Sequence, residues 1–80
     1  MKVGIIDIGI GNLASVSNAL LKLEMEPILC SSPDMLKHVD SLVLPGVGAF
    51  PAAMILLTSN GFDMAIKDFV TSGRVLVGIC

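Results

Sequence analysis

Charged side chains are scarce in this sequence. Only 15% of its 80 residues are Asp, Glu, Lys or Arg, whereas 54% are hydrophobic. An ordinary soluble domain is roughly 25% charged. The composition excludes a disordered chain, which combines low hydrophobicity with high charge. Because a small domain has much surface per residue, we expect the chain to be part of a larger domain or to pack against a partner.

Basic residues, cysteines and histidines are also few. The net charge is -2 and the pI is near 4.9, so the sequence offers no basic footprint for nucleic acid. The only two cysteines, Cys30 and Cys80, are too few for a disulfide scaffold or a cysteine-based zinc site. They predict a reducing compartment. We find no paired carboxylates and no metal-ligand cluster, and we expect the one histidine, His38, at the exposed end of a helix.

The longest stretch without charge covers residues 41–62, which is long enough to span a bilayer. It is interrupted by Pro45, Gly46, Gly48, Pro51 and Gly61. These residues break it into a strand end, a loop and a helix, so we expect no transmembrane helix. The N-terminus does not fit a signal peptide, because the apolar run after Lys2 meets Asp7 before any small-residue cleavage site.

The hydrophobic pattern predicts alternating strands and helices. Short apolar runs, continuous and β-branched in the first of them, predict strands buried on both faces at residues 3–8, 26–30, 41–44 and 74–79. Apolar spacings of three and four, together with turn residues, predict helices at 12–24, 33–38, 50–57 and 62–70. This order predicts an α/β fold with a parallel sheet of about four strands and helices on both faces. In such sheets ligands bind at the carboxyl ends of the strands.

The turn after the first strand reads Gly9-Ile10-Gly11-Asn12-Leu13-Ala14, which fits the G-x-G-x-x-A dinucleotide fingerprint. Glycines there would let a pyrophosphate reach backbone N–H groups at a helix N-terminus. The fingerprint also needs an acidic residue at the end of the second strand, where this chain has Cys30-Ser31-Ser32. The same residues fit an ordinary tight turn, which we expect the Asp7 carboxylate to cap.

The loop after the third strand contains Gly46, Val47 and Gly48. Without a Cβ at either glycine, backbone N–H groups are exposed at a strand end, as an oxyanion hole requires. The same residues also fit a loop whose glycines only supply positive φ angles.

Cys80 directly follows the fourth predicted strand. A cysteine there would sit at the top of the sheet, in the position of a nucleophile on a sharp strand-to-helix turn. The alternative is a buried cysteine, which is the common fate of this residue type. We predict that Cys30, which has no motif around it, is such a buried cysteine.

Together these segments resemble the class I (triad-type) glutamine amidotransferases, and among them the glutaminase subunit of imidazole glycerol phosphate synthase. The matching pieces are Asp7-Ile8-Gly9-Ile10-Gly11-Asn12-Leu13, Leu42-Val43-Leu44-Pro45-Gly46-Val47-Gly48-Ala49-Phe50 and Gly78-Ile79-Cys80. The similarity runs over all 80 residues. It implies the N-terminal fragment, residues 1–80, of a single amidotransferase domain with a flavodoxin-like fold.

The resemblance implies a role for each matching segment. Cys80 matches the nucleophile that attacks the side-chain amide of glutamine, forms a thioester and releases ammonia. Gly46, Val47 and Gly48 match the oxyanion strand.

The turn at Gly9, Gly11 and Asn12 would face the glutaminase site and the partner subunit. That partner is a cyclase with a (β/α)8 barrel, which uses the ammonia to make imidazole glycerol phosphate for histidine biosynthesis. The family implies a cytoplasmic heterodimer that uses neither a metal nor an organic cofactor.

The chain departs from the family pattern at several positions. Members continue as Cys-Leu-Gly-x-Gln after the nucleophile and carry a His and a Glu further on, whereas nothing follows Cys80 in this sequence. A nucleophile without its base loses most of its rate, so we expect the isolated chain to be inactive. Ile8 in place of Tyr, Pro51-Ala52 in place of Gly-Asp and Val75 in place of Pro affect local loop geometry.

Two other functions fit parts of the sequence. The turn at residues 9–14 would serve a small nucleotide-binding module. The low charge and an open sheet edge would serve a non-catalytic interaction module that docks on a partner.

Overall fold

The computed structural model describes residues 1–9, 12–45 and 50–78, with the backbone alone for residues 50–54. Strands and helices alternate as the sequence predicts. In chain order they are β1 (Lys2–Ile6), α1 (Leu13–Lys22), β2 (Glu26–Cys30), a 3₁₀ helix (Pro33–His38), β3 (Ser41–Leu44), α2 (Phe50–Ser59), α3 (Phe62–Thr71) and β4 (Val75–Gly78). None of the helices in these ranges has the length and apolar character needed to cross a bilayer.

The four strands form one parallel sheet in the order β2-β1-β3-β4. The predicted parallel α/β sheet is therefore confirmed, and its order matches the first four strands of the flavodoxin-like arrangement 2-1-3-4-5. β2 lies on one side of β1, whereas β3 and β4 lie on its other side, so the direction in which strands are added reverses after β2. This reversal opens a crevice at the carboxyl ends of β1 and β3, where such folds bind ligands.

The main core covers one face of the sheet. Side chains of three strands pack there against the 3₁₀ helix, α2 and α3, and the buried members are Ile6, Cys30, Leu36, Val39, Leu42, Leu57, Phe62 and Phe69. The two phenylalanines are the largest fully buried side chains, and they fix α3 on the sheet.

The opposite face carries the alternate strand residues Val3, Ile5 and Val43, all of them buried. Helix α1 contacts β1 and β2, and it contributes no residue to the main core. Helices therefore lie on both faces, as predicted. No α1 residue is fully buried, so this second layer is thin.

The ends of several elements differ from the predictions. β1 stops at Ile6 rather than at residue 8, because the chain enters a turn in which the Asp7 carboxylate accepts a hydrogen bond from the Gly9 N–H. Helix α1 starts one residue later, with Asn12 as its N-cap. It ends at Lys22 because Glu24 takes a left-handed conformation with φ 60°. Helix α2 extends to Ser59, two residues beyond the prediction.

Arg74 precedes β4 instead of starting it. Its guanidinium donates to the carbonyl oxygens of Leu36 (3.2 Å) and Val39 (3.1 Å), and it stacks 4.2 Å from the centre of the Phe69 ring. These contacts join the end of the 3₁₀ helix to α3 and the start of β4. Gly73 follows the end of α3 with φ 90°, the left-handed conformation that commonly ends a helix.

Candidate functional site

The carboxyl ends of β1, β3 and β4 lie side by side. Ile5 pairs with Val43, and Val43 pairs in turn with Val77. Leu44 pairs with Gly78 one residue later. The three segments that carry the sequence motifs are therefore attached side by side at the carboxyl end of the sheet, where neighbouring strands lie about 5 Å apart.

The first of these segments begins with a turn held by Asp7. The Gly9 N–H donates to Asp7 Oδ1 at 3.1 Å, and the Asp7 N–H donates to the Cys30 carbonyl oxygen at 2.9 Å. Gly9 has φ 85°, which a residue with a Cβ adopts only at a cost. The prediction that Asp7 caps this turn is confirmed.

Asn12 ends the turn and starts α1. Its Oδ1 accepts a hydrogen bond from the Ser15 N–H at 3.2 Å, which satisfies one of the free donors of the first helical turn. The Asn12 side chain is exposed at the edge where β1 ends. This turn is the only part of the predicted site with described side-chain geometry.

The remaining predicted site residues lie outside the described ranges. They are Gly11, Gly46, Val47, Gly48 and Cys80. Their roles as turn, oxyanion strand and nucleophile stay predictions. The residues that flank the last two segments are described: Pro45 is buried directly after β3, and Gly78 ends β4.

Cys30 is a core residue, as predicted. It is fully buried, and its thiol donates to the Ile28 carbonyl oxygen at 3.6 Å. Burial raises the pKa of the Cys30 thiol above its ordinary value. The thiolate is the reactive form of cysteine, so Cys30 is a poor candidate for a nucleophile.

His38 lies at the opposite end of the sheet, where the amino end of β3 lies. It is exposed in the last turn of the 3₁₀ helix, as predicted, and β3 begins three residues later at Ser41. β3 has four residues, which span about 13 Å at ~3.3 Å per residue. His38 is therefore separated by the length of a strand from the edge where β4 ends.

A pocket of about 280 Å³ lies between the 3₁₀ helix and α3, away from any predicted site residue. Its cations are already engaged, because Lys37 pairs with Asp34 at 3.8 Å and Arg74 bonds backbone carbonyls. The sequence did not predict this role of Arg74, because its two carbonyl partners lie 38 and 35 residues away along the chain. Among the described residues no group of three acidic, histidine or cysteine side chains could hold a metal ion.

Relatives with known names match almost the whole chain. It is 49% identical over 77 residues to "Imidazole glycerol phosphate synthase subunit HisH" of Halalkalibacterium halodurans, an alignment that covers 96% of this chain and 36% of that protein. The subunits of the same name from Bacillus licheniformis and Wolinella succinogenes are each 47% identical over 78 residues, which is 98% of this chain and 37% and 38% of theirs. A scan against models of protein families found no match.

The chain thus spans little more than a third of the length of the relatives it matches. The match is to their N-terminal part. The parallel sheet and its order agree with the fold that the resemblance implied. Over these residues, the chain is similar to the N-terminal part of the imidazole glycerol phosphate synthase subunit HisH.

Proposed function

We propose that this chain is the nucleophile-bearing part of a glutaminase domain that supplies ammonia to imidazole glycerol phosphate synthase. The sheet order is the observation that carries the proposal. Because β1, β3 and β4 are neighbours, the turn at Asn12, the Gly46–Gly48 segment and Cys80 are attached to one edge. A nucleophile, an oxyanion hole and a substrate-facing turn have to converge in this way.

In the proposed reaction the Cys80 thiolate attacks the side-chain amide carbon of glutamine. The carbonyl π electrons move to oxygen, and N–H groups of residues 46–48 stabilise the resulting oxyanion. Collapse of this intermediate breaks the C–N bond, and the nitrogen leaves as ammonia with the proton that the Cys80 thiol lost to the general base. Water then cleaves the thioester, giving glutamate and the free thiol.

The ammonia would pass to a cyclase subunit with a (β/α)8 barrel, in a cytoplasmic heterodimer. We propose that the turn at Gly9, Gly11 and Asn12 lies toward this partner. Two hydrogen bonds on either side of residues 10 and 11 support this role: the Asp7 carboxylate accepts from the Gly9 N–H, and the Asn12 side chain accepts from the Ser15 N–H in the first turn of α1. Residues held in this way lose less conformational entropy when they contact a partner.

Residues 1–80 alone would lack glutaminase activity, because they hold no usable general base. Their one histidine, His38, lies at the amino edge of the sheet and Cys80 is attached at the carboxyl edge. Loss of the base in a triad-type enzyme removes several orders of magnitude in rate.

The dinucleotide alternative is disfavoured by the same turn. The Gly9 N–H, which a pyrophosphate would need, already donates to the Asp7 carboxylate, and that negative charge repels a phosphate. β2 ends at Cys30 and is followed by Ser31, so the acidic residue that would bind a ribose is missing there.

The test is a chimera in which residues 1–80 replace the matching part of the Halalkalibacterium halodurans relative. The chimera, combined with that organism's cyclase subunit, should release glutamate and ammonia from glutamine. Cys80→Ser should abolish this release, while Cys30→Ala, the matched control at the other cysteine, should retain it in the folded fraction. Equal activity of the Cys80→Ser chimera and its parent would refute the proposal.

A further inference from the structure

The sheet opens between β1 and β3 at its carboxyl end. β1 stays paired with β2 up to Ile6, and β3 stays paired with β4 up to Leu44. The last pair between β1 and β3 lies one residue earlier on each strand, at Ile5 and Val43. The two central strands therefore separate from each other at the point where the segments with the sequence motifs begin.

Asp7 holds the chain on the β2 side of this opening. Its backbone N–H donates to the Cys30 carbonyl oxygen at the end of β2, at 2.9 Å. Its Oδ1 accepts from the Gly9 N–H at 3.1 Å, and the φ of 85° at Gly9 allows the chain to turn back within two residues. Among the described residues, no hydrogen bond joins residues 7–9 to β3. The turn is thus fixed to β2 and to itself, and it leaves the opening free.

We propose that Asp7 is a positioning residue for the glutaminase reaction. Its carboxylate keeps the turn on the β2 side, so that the space between β1 and β3 is left to the Gly46–Gly48 segment and the amide group of glutamine. Donors that stabilise an oxyanion act only when their positions are fixed before the reaction, and a displacement of about 1 Å is costly. The inference rests on the proposed function for the identity of the reaction.

The hydrogen bond to Gly9, and not the negative charge, carries this role. A carboxylate near the thiolate and the oxyanion disfavours both, because like charges repel. Aspartate and asparagine share the ability to accept from the N–H two residues further on, which forms a turn of this kind. Glutamate keeps the charge, but its longer side chain does not close the same turn. Asp7→Asn and Asp7→Glu therefore separate the bond from the charge.

The test measures ammonia release from glutamine by the chimera combined with its cyclase subunit. Asp7→Ala should lower kcat/KM by about tenfold or more, which matches the loss of one hydrogen bond to a charged group. Asp7→Asn should stay within about twofold of the parent, because it keeps the acceptor. Asp7→Glu should lose as much activity as Asp7→Ala does, although it changes neither the charge nor the polarity of the position.

Asp40→Ala is the matched control. The Asp40 carboxylate also accepts from one backbone N–H, that of Lys2 at 2.8 Å, but it does so at the amino end of the sheet. Both bonds are exposed, so the two alanine variants should lower the Tm by similar amounts. Only Asp7→Ala should lose activity per folded molecule, and Asp40→Ala should stay within about twofold of the parent, as surface substitutions do.

Three results would each overturn the role of Asp7: an Asp7→Ala chimera as active as the parent, an Asp7→Glu variant more active than Asp7→Asn, or equal losses in Asp7→Ala and Asp40→Ala. The proposed function fails in a different way. A parent chimera that releases no ammonia refutes both proposals, whereas an active parent whose Asp7 variants are all equally active refutes the positioning role alone.

Discussion

Replacement of Gly4 by alanine tests the packing of the sheet against the main core. A Cβ built at this position lies 3.0 Å from Cys30 Sγ, 3.0 Å from Val39 Cγ2 and 3.2 Å from Leu42 Cδ1. The three contacted side chains are at most 3% exposed, so none can swing into solvent to make room. At Gly4, therefore, the face of β1 that packs against the main core has no space for a methyl group.

The magnitude follows from two opposing effects. Overpacking a filled core costs about 1–3 kcal/mol. Removing a glycine from the unfolded chain returns about 0.4–1 kcal/mol. We expect Gly4→Ala to destabilise the fold by about 1–2 kcal/mol. For a domain of this size, each kcal/mol lowers the Tm by roughly 4–8 °C.

Urea unfolding followed by far-UV circular dichroism measures this effect. Gly78→Ala is the control, because a Cβ there meets no atom of the described residues within 4 Å, and it should keep only the gain of about 0.4–1 kcal/mol that comes from the unfolded chain. Cys30→Ala removes the nearest sulfur, so the double variant with Gly4→Ala should be less destabilised than the sum of the single variants, by about 0.5 kcal/mol or more. Strict additivity, or a Gly4→Ala variant as stable as the parent, would refute the packing argument.

Three further predictions concern single side chains. Glu24→Gly should stabilise the chain by about 1 kcal/mol in urea titrations, because Glu24 closes α1 in a left-handed conformation, and Glu24→Ala should give no such gain. Arg74→Lys should lower the Tm, since an ammonium lacks the planar group that stacks on Phe69 and the Nε–H that donates to Ser72; an unchanged Tm would contradict that role. Stability should fall as pH rises above the ordinary pKa of a thiol, because burial raises the pKa of Cys30 and the unfolded chain then releases that proton more readily. Cys30→Ala should flatten this slope, and a slope unchanged by that substitution would argue against burial as its cause.

Much of the fold could be predicted because local signals and burial agree along this chain. The apolar residues in the middle of β1 and β3 are buried, and Asn12 and Gly73 occupy the cap positions that their residue types favour. The end of α1 could not be predicted in the same way. Glutamate at residue 24 gives no sign of a left-handed turn, which is set by the hydrogen bonds of Glu24 and Met25 to the preceding helical turn.

The candidate site was predictable where side chains bond their own neighbours in sequence. The Asp7 carboxylate reaches Gly9, two residues away, so residue type and spacing suffice. Arg74 was placed in the strand because its partners, Leu36 and Val39, lie 38 and 35 residues away. Contacts over that separation depend on the order of the strands, which no local pattern encodes.

Mass spectrometry of a covalent adduct tests the central claim most directly. The chimera carrying residues 1–80 is treated with an electrophilic analogue of glutamine, digested, and searched for modified cysteines. The account predicts one adduct per chain, on Cys80, with free glutamine protecting against it and Cys30 unmodified because it is buried. An adduct on Cys30, or a Cys80 that reacts no faster than in the unfolded chain and is not protected by glutamine, would contradict the assignment of Cys80 as the nucleophile.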